Sequence, residues 1–256
     1  MRLFAFNTGV EIVDIANFDP LGPDVGTKVR TPYFFYVVEH ERGHVLFDTG
    51  AHPDWVGRYD PDSDVSWDGA KIVMREGDDI VSKLATLGLA PEDVEHVGLS
   101  HLHIDHAGGV GFLPNATFYV QRRELQAAFW PPVFQRDFYV RSDFDHPVRW
   151  KELAGEFDLF GDGRIVLFPT PGHSIGHQSM LVRLDGRAVI LVADAAYSPR
   201  SLAERRLPAI VWSPDAMVDS WERIEALRDR HDAELIYTHD LAWQETTRLA
   251  PDEWYA

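Results

Sequence analysis

Apolar residues along this chain fall into short runs punctuated by Gly, Pro, Asn and Asp rather than into long amphipathic stripes. Runs at Tyr33–Val38, His44–Asp48, Val94–Leu99, Thr117–Val120, Arg164–Phe168, Gln178–Leu184, Ala188–Val192 and Glu234–Tyr237 read as strands, and Met1–Asn7 reads as a first one. Near-continuous apolar runs of this length suit strands buried on both faces. Leu184-Asp185-Gly186-Arg187 predicts a hairpin, because Asp-Gly accepts the turn that strand twist requires. Helical spacing is confined to two places. One is near Asp78–Leu87, ending at Gly88. The other starts at Ser213-Pro214-Asp215, with Ser213 as N-cap and Pro214 in the first helical position, carries Met217, Trp221, Ile224 and Leu227 on one face, and runs to about Arg230. No repeat and no low-complexity linker divides the chain, but the strand-rich halves either side of residue 160 suit two similar sheets facing each other.

Two long stretches lack a pattern. Residues 52–77 carry Trp55 and Trp67 among several Asp, and residues 129–150 run from Phe129-Trp130-Pro131-Pro132-Val133-Phe134 through Phe138 to Trp150. Their aromatic content argues against disorder, and loops this long usually have a function. They read either as an apolar wall beside a site, or as a satellite core or an oligomer contact.

The chemistry sits in Ser100-His101-Leu102-His103-Ile104-Asp105-His106-Ala107-Gly108-Gly109. Three imidazoles and a carboxylate so close together can hold borderline divalent metals, though four side chains cannot close two coordination shells. Further candidates stand at the ends of apolar runs: His173 after Ile165–Phe168, Asp194 after Val189–Ala193, and His239 after Leu235–Thr238. The remaining histidines, His40, His44, His52, His96, His146 and His231, have no partner spacing and read as surface or turn residues.

Composition narrows the function by exclusion. The chain has 256 residues, 41 acidic against 24 basic and a formal charge of -17. That balance argues against nucleic acid, whose phosphates call for clustered Lys and Arg, and against an anionic membrane surface. The chain contains no cysteine, which excludes disulfides and thiolate ligands. No apolar stretch is long enough for a membrane span and the N-terminus lacks a signal-peptide pattern, so a soluble, cytoplasmic protein of one domain over residues 1–256 is expected.

The quoted residues resemble the metallo-β-lactamase superfamily, whose motif is His-x-His-x-Asp-His followed by a distant His, an Asp and a last His. The resemblance runs from Asp48-Thr49-Gly50 to His239-Asp240. It implies an αββα sandwich, two facing mixed sheets with helices outside. It also implies two divalent ions, zinc first with cobalt, manganese or iron as alternatives: His101, His103 and His173 on one, Asp105, His106 and His239 on the other, and Asp194 bridging. Gly172–Ser179 and Asp194-Ala195-Ala196-Tyr197 are similar to the N-acyl-homoserine lactonases, the quorum-quenching branch, and to the pyridoxolactone hydrolases. On that resemblance Tyr197 and Asp105 are catalytic, while Asp48 and His177 support the ligands from behind.

Two dications sharing a water present hydroxide near neutral pH and polarise a carbonyl, which suits lactone opening. The expected substrate is a neutral N-acyl-homoserine lactone, its tail against Trp55, Trp67, Phe129, Trp130, Phe134 and Phe138, in a monomer or a homodimer. A pyridoxolactone or another small lactone is the nearest alternative. A thioesterase of the glyoxalase II kind would want a basic pocket, for which no Lys or Arg cluster is placed. A mononuclear iron dioxygenase needs fewer ligands than are present, and a non-catalytic metal module leaves Tyr197 unexplained.

Overall fold

Alternation decides the layering. The computed structural model describes residues 1–60 and 70–256. Strands β1 (Arg2–Asp14) and β2 (Lys28–His40) pair antiparallel, Leu3 opposite Val38 and Ala5 opposite Tyr36. Leu3, Ala5, Phe34, Tyr36 and Val38 enter one core, and Phe4, Phe6, Phe35 and Val37 enter another. Successive side chains on a strand point to opposite faces, so a strand covered on both sides shows an unbroken apolar run.

The first sheet adds β3 (Gly43–Phe47), β4 (Lys71–Val73), β5 (His96–Gly98), β6 (Thr117–Gln121) and β7 (Arg149–Leu153), in the order β4-β1-β2-β3-β5-β6-β7. The second is built from β8 (Phe157–Asp158), β9 (Ile165–Pro169), β10 (Gln178–Arg183), β11 (Ala188–Leu191) and β12 (Ala233–Ile236), in the order β12-β11-β10-β9-β8. Both sheets are mixed: β3, β5, β6 and β7 run parallel, as do β11 and β12, and the other pairs are antiparallel.

Between the sheets, Phe34, Tyr36 and Phe47 meet Leu167, Met180, Val182 and Leu191 in one apolar core. Outside the first sheet, α1 (Ile80–Thr86) contributes Ile80 and Leu84, and α2 (Arg122–Phe129) contributes Ala128. Outside the second, Met217, Trp221 and Ile224 of α5 (Pro214–His231) cover Phe168, Leu181, Ile190 and Val192. Three short helices, α3 (Arg141–Phe144), α4 (Pro199–Ala203) and α6 (Leu241–Thr246), complete the αββα arrangement. No helix among the described residues is long and apolar enough to cross a membrane.

The apolar runs and the capped helix fall where the pattern puts them, and Asp185-Gly186 does turn a hairpin, with Leu184 N–H donating to Arg187 O at 2.8 Å. Several elements were not foreseen. β7 is Arg-Trp-Lys-Glu-Leu, an edge strand mostly in water, and α2 is a short helix whose apolar face is only Leu125, Ala128 and Phe129. The first strand runs seven residues past Asn7, across a register shift between Asn7 and Val10. The stretch 129–150 is not one loop but holds α3 and the start of β7. His40 is no surface residue: it is buried, stacked on Phe160 with ring centroids 4.3 Å apart and 2.9 Å from the Asp162 carboxylate. Trp67 lies outside the described residues.

One buried acid in this outer layer has a measurable consequence. Asp143 on α3 is 3% exposed and its Oδ2 has no hydrogen-bond partner among the described residues. Burial pushes its carboxyl up to about 7. A carboxyl raised in the folded state contributes stability below its unfolded pKa and loses it as pH climbs through the folded one. Asp143→Asn is therefore expected to gain on the parent by about 1–3 kcal/mol between pH 5 and pH 8.5. Urea denaturation at the two pH values checks this; a difference that stays constant with pH would count against it.

Candidate metal centre

Parallel strands release their chains at one edge of a sheet, which is where open sheets collect functional groups. β3 ends at Phe47 and hands on Asp48, while β5 ends at Gly98 and hands on Ser100 to His106. From the second sheet β9 leads to His173, β11 to Asp194 and β12 to His239. Two close backbone approaches lock these loops together. A Cβ on Gly108 would lie 2.1 Å from His52 N, and one on Gly172, at φ +148°, would lie 2.4 Å from Met217 Cα. Neither position accepts a side chain, which explains a glycine on each side of the histidine cluster.

The structure gathers the seven expected ligand residues. Donor atoms of His101, His103 and His173 lie within 4.8 Å of one another, as do those of Asp105, His106 and His239, and those of His101, His106 and Asp194. Asp194 stands between the two sets: Oδ2 is 3.5 Å from His173 Nε2, and Oδ1 is 3.1 Å from His106 Nε2 and 3.3 Å from His239 Nε2.

Ring orientation is fixed from behind, where the partner of one imidazole nitrogen decides what the other offers. His106 Nδ1 lies 2.9 Å from Asp48 Oδ2, His239 Nδ1 is 2.9 Å from Pro32 O, and His173 Nδ1 is 3.1 Å from Ile210 O. These oxygens accept, so each Nδ1 carries a hydrogen and Nε2 is the atom turned toward the cluster. Asp48 is itself held by the Ser100 backbone N–H at 2.7 Å and the Ser100 hydroxyl at 2.9 Å, in a left-handed backbone at φ 62°. His177 stays behind the cluster. Its Nδ1 is 2.9 Å from the Thr170 hydroxyl and its Nε2 accepts the Asp194 N–H at 3.2 Å, and burial lowers it to about 3, so it is a neutral strut.

The donor set fits divalent metal. Nε2 of His101, His103 and His106 and Oδ1 of Asp194 are buried and lack hydrogen-bond partners among the described residues, although a stranded buried polar atom normally costs about 1–3 kcal/mol. Burial, followed by neighbouring imidazoles, holds His101 and His103 well below the usual histidine range, hence neutral and ready to ligate. Burial would do the same to His106, but the Asp105, Asp194 and Asp48 carboxylates outweigh it and draw positive charge toward that ring. Burial holds His101, His103 and His173 below the usual histidine range, whereas the Asp194 and Asp105 carboxylates draw positive charge onto His106 and His239, a charge that a divalent cation would supply in their place.

Tyr197 reaches the same place: its hydroxyl is 3.0 Å from His173 Nδ1. Burial and the Asp194 and Asp105 carboxylates push the phenol well above its usual range, so it keeps its proton. The pocket over the cluster is lined by Asp105, Tyr197, Glu11, Asn17 and Tyr33, with Phe18, Ile72, Ile104, Phe138 and Ile210 as its apolar wall. Of the aromatic residues expected there, Phe138 takes the place, 5.4 Å from the His103 ring between centroids. Trp55 packs with Tyr33, Ile72 and Ile104 behind the wall. Phe129 packs edge-on against Phe144, while Trp130 and Phe134 are 87% and 63% exposed and do not line the pocket. Loop composition shows how many aromatic side chains are available, not which way each one turns.

Glu124 was not foreseen. Fully buried at the start of α2, it accepts from Leu102 N–H at 3.1 Å, Tyr139 hydroxyl at 3.0 Å, Ser174 hydroxyl at 2.7 Å and Gly176 N–H at 3.0 Å. It thereby ties the His101–His106 loop to the His173 loop and to the Phe138 segment. In sequence it looks like an ordinary acid in a first helical turn, and nothing local signals its burial. Phe18 was missed as well; its ring meets Tyr197 edge-on at 4.9 Å.

Residues 30–239 match the model of the metallo-beta-lactamase superfamily. Over 264 aligned positions the chain is 37% identical to N-acyl homoserine lactonase AttM of Azorhizobium caulinodans, covering 99% of this chain and 95% of that protein. It is 29% identical to N-acyl homoserine lactonase AiiA of Bacillus thuringiensis subsp. kurstaki over 89% of this chain and 88% of that one. A solved N-acyl homoserine lactone hydrolase, with the product N-hexanoyl-L-homoserine at its catalytic metal centre, superposes with a TM-score of 0.88 at 26% identity, covering 99% and 98% of the two chains.

Because Asp194 alone stands between the two donor sets, Asp194→Asn is expected to cost both metals, whereas His239→Ala releases mainly one. Elemental analysis of the purified variants after dialysis reads the stoichiometry directly. Retention of two ions per chain by both variants would contradict this division of ligands.

Proposed function

The chain belongs to the metallo-beta-lactamase superfamily, and from that premise we propose that it is a metal-dependent lactonase that opens N-acyl-homoserine lactones. The observation that carries this reading is a pocket with two unlike ends. Its floor is the His/Asp cluster with Tyr197, and its wall is Phe18, Ile72, Ile104, Phe138 and Ile210. A small ester ring bearing an alkanoyl tail has the same polarity. Support from relatives is of one kind: the similar lactonases align along nearly the whole of this chain.

In this proposal His101, His103 and His173 hold one ion, Asp105, His106 and His239 hold the other, and Asp194 touches both. Zinc suits a set of imidazoles and carboxylates without thiolate. When bound, the ion pair supplies a water acidic enough to attack near neutral pH and a Lewis acid for the ester carbonyl. The chain's own residues do the rest. Tyr197 gives a hydrogen bond to the carbonyl or ring oxygen as negative charge gathers there. The phenol accepts from His173 Nδ1 and its own hydrogen is turned toward Asp194, from which it would pass to the substrate oxygen. Asp105, whose side chain is 15% exposed against 6% for Asp194, is the carboxylate that opens to the pocket. It would take the proton that the attacking water gives up and pass it to the departing ring oxygen, which would otherwise leave as a poor alkoxide. The apolar wall holds the tail and keeps bulk water off the ring.

The test is a comparison of kcat/KM on N-hexanoyl-homoserine lactone, a pyridoxolactone, a thioester, a β-lactam and a phosphotriester with one metal-loaded preparation. The acyl-homoserine lactone is expected to be opened fastest; turnover of the pyridoxolactone alone would move the protein to the neighbouring branch. Tyr197→Phe should keep metal content and fold while lowering lactone kcat/KM by about ten- to a thousandfold. Unchanged turnover would reduce Tyr197 to packing.

A further inference from the structure

Glu11 is a carboxyl in the wall of a pocket that otherwise turns apolar away from the cluster. It reaches that place through the irregularity in β1. The register of β1 against β2 shifts between Asn7 and Val10, with Gly9 at φ +130° and no room for a Cβ, which would lie 2.8 Å from Val73 O. Bulges of this kind re-aim the side chains that follow them. Beyond the shift Glu11 lies opposite Thr31 on one side and Ile72 on the other, and Glu11 and Ile72 both line the pocket. The Tyr33 hydroxyl is its side-chain hydrogen-bond partner. Among the described residues no Lys or Arg lines the pocket, and the positive charge acting on Glu11 is that of the His239 ring.

Half-buried in a wall shared with Phe18, Ile72 and Ile104, this carboxyl has lost part of its hydration, which is costly unless something donates to it. Tyr33 supplies one donor, and a carboxylate has room for about four. The metal cluster does not use it: Glu11 belongs to none of the groups whose donor atoms converge. Burial, reinforced by the Asp105 carboxylate, pushes its carboxyl up to about 7, so near neutrality it carries reduced charge toward an alkyl tail while still presenting an acceptor oxygen in either protonation state.

We propose that Glu11 is a specificity-determining residue that accepts a hydrogen bond from the amide N–H linking the acyl tail to the lactone ring. The inference rests on the lactonase reading above and deepens it. The amide is the one polar donor between a ring seated on the cluster and a tail lying along the apolar wall. A pocket built to pair a polar group of the substrate rejects the analogue that lacks it, because its own acceptor is then left unpaired. The selection is therefore for α-amido lactones over lactones that carry only alkyl or ester-linked tails.

The test compares N-hexanoyl-homoserine lactone with its depsi analogue, α-hexanoyloxy-γ-butyrolactone, in which an oxygen replaces the amide N–H. Ring opening is followed by NMR so that loss of the side ester is not counted. The parent protein is expected to favour the amide by about 10- to 100-fold in kcat/KM, the range of one hydrogen bond to an ionisable acceptor. Glu11→Leu should lose that preference by slowing the amide alone, and Glu11→Gln, which keeps an acceptor oxygen, should retain part of it. Melting temperature and metal content are read for each variant. A role confined to holding Tyr33 would depress both substrates together, and that outcome overturns the proposal, as does a parent protein that opens both rings equally fast. In those cases the lactonase reading stands; a parent protein that opens neither ring ends both.

Discussion

The structure is organised around a buried cluster of carboxylates and imidazoles whose polar atoms the described residues do not all satisfy. Asp105 and Asp194 are held beside five imidazoles, and buried nitrogens of His101, His103 and His106 have no hydrogen-bond partner among the described residues. Without a cation such a cluster is costly, since each stranded polar atom forfeits its water and the carboxylates repel each other. The protein accepts that cost because the flanking layers are rigid. A core of Phe34, Tyr36, Phe47, Leu167, Met180 and Leu191 clamps the sheets whose edges carry the ligands. Binding energy of the ions then becomes folding energy.

Holding the ligands in place takes a second set of groups that bind nothing themselves. Asp48 fixes His106 and the Ser100 turn, His177 supports the Asp194 backbone, and the carbonyls of Pro32 and Ile210 set the rings of His239 and His173. Glu124 works on a larger scale, with four donors from three separate segments converging on one carboxylate. Charge-assisted hydrogen bonds of this kind are the stronger ones, so they suit a place where loops of both sheets must keep a fixed spacing.

The pocket has a different origin from the cluster. Its floor is delivered by strand ends, whereas its wall is drawn from the redirected part of β1, from Asn17 and Phe18 just after it, and from Ile104, Phe138 and Ile210. On the proposed reading, reaction type and substrate choice therefore sit on different parts of the chain. The floor fixes which bond is broken, and the wall can vary in polarity without disturbing it.

What the sequence determined by itself follows from local rules. Apolar runs ending at His101, His173, Asp194 and His239 mark strands that deliver the residues gathered in the cluster, and the density of His101-x-His103-x-Asp105-His106 points to metal chemistry, because few other arrangements explain so many ligand-type residues in so short a span. Ser213-Pro214 and Asp185-Gly186 mark a helix start and a turn through their own backbone preferences. Tertiary structure alone decided the rest. Glu11 and Glu124 are ordinary acids in sequence; only a register shift brings the first to the pocket wall, and only three converging loops enclose the second. Phe138 turns to the pocket while Trp130 and Phe134 turn to water. Composition counts side chains and periodicity assigns them a face, but neither says which distant segment that face will meet; that depends on contacts between residues far apart in the chain.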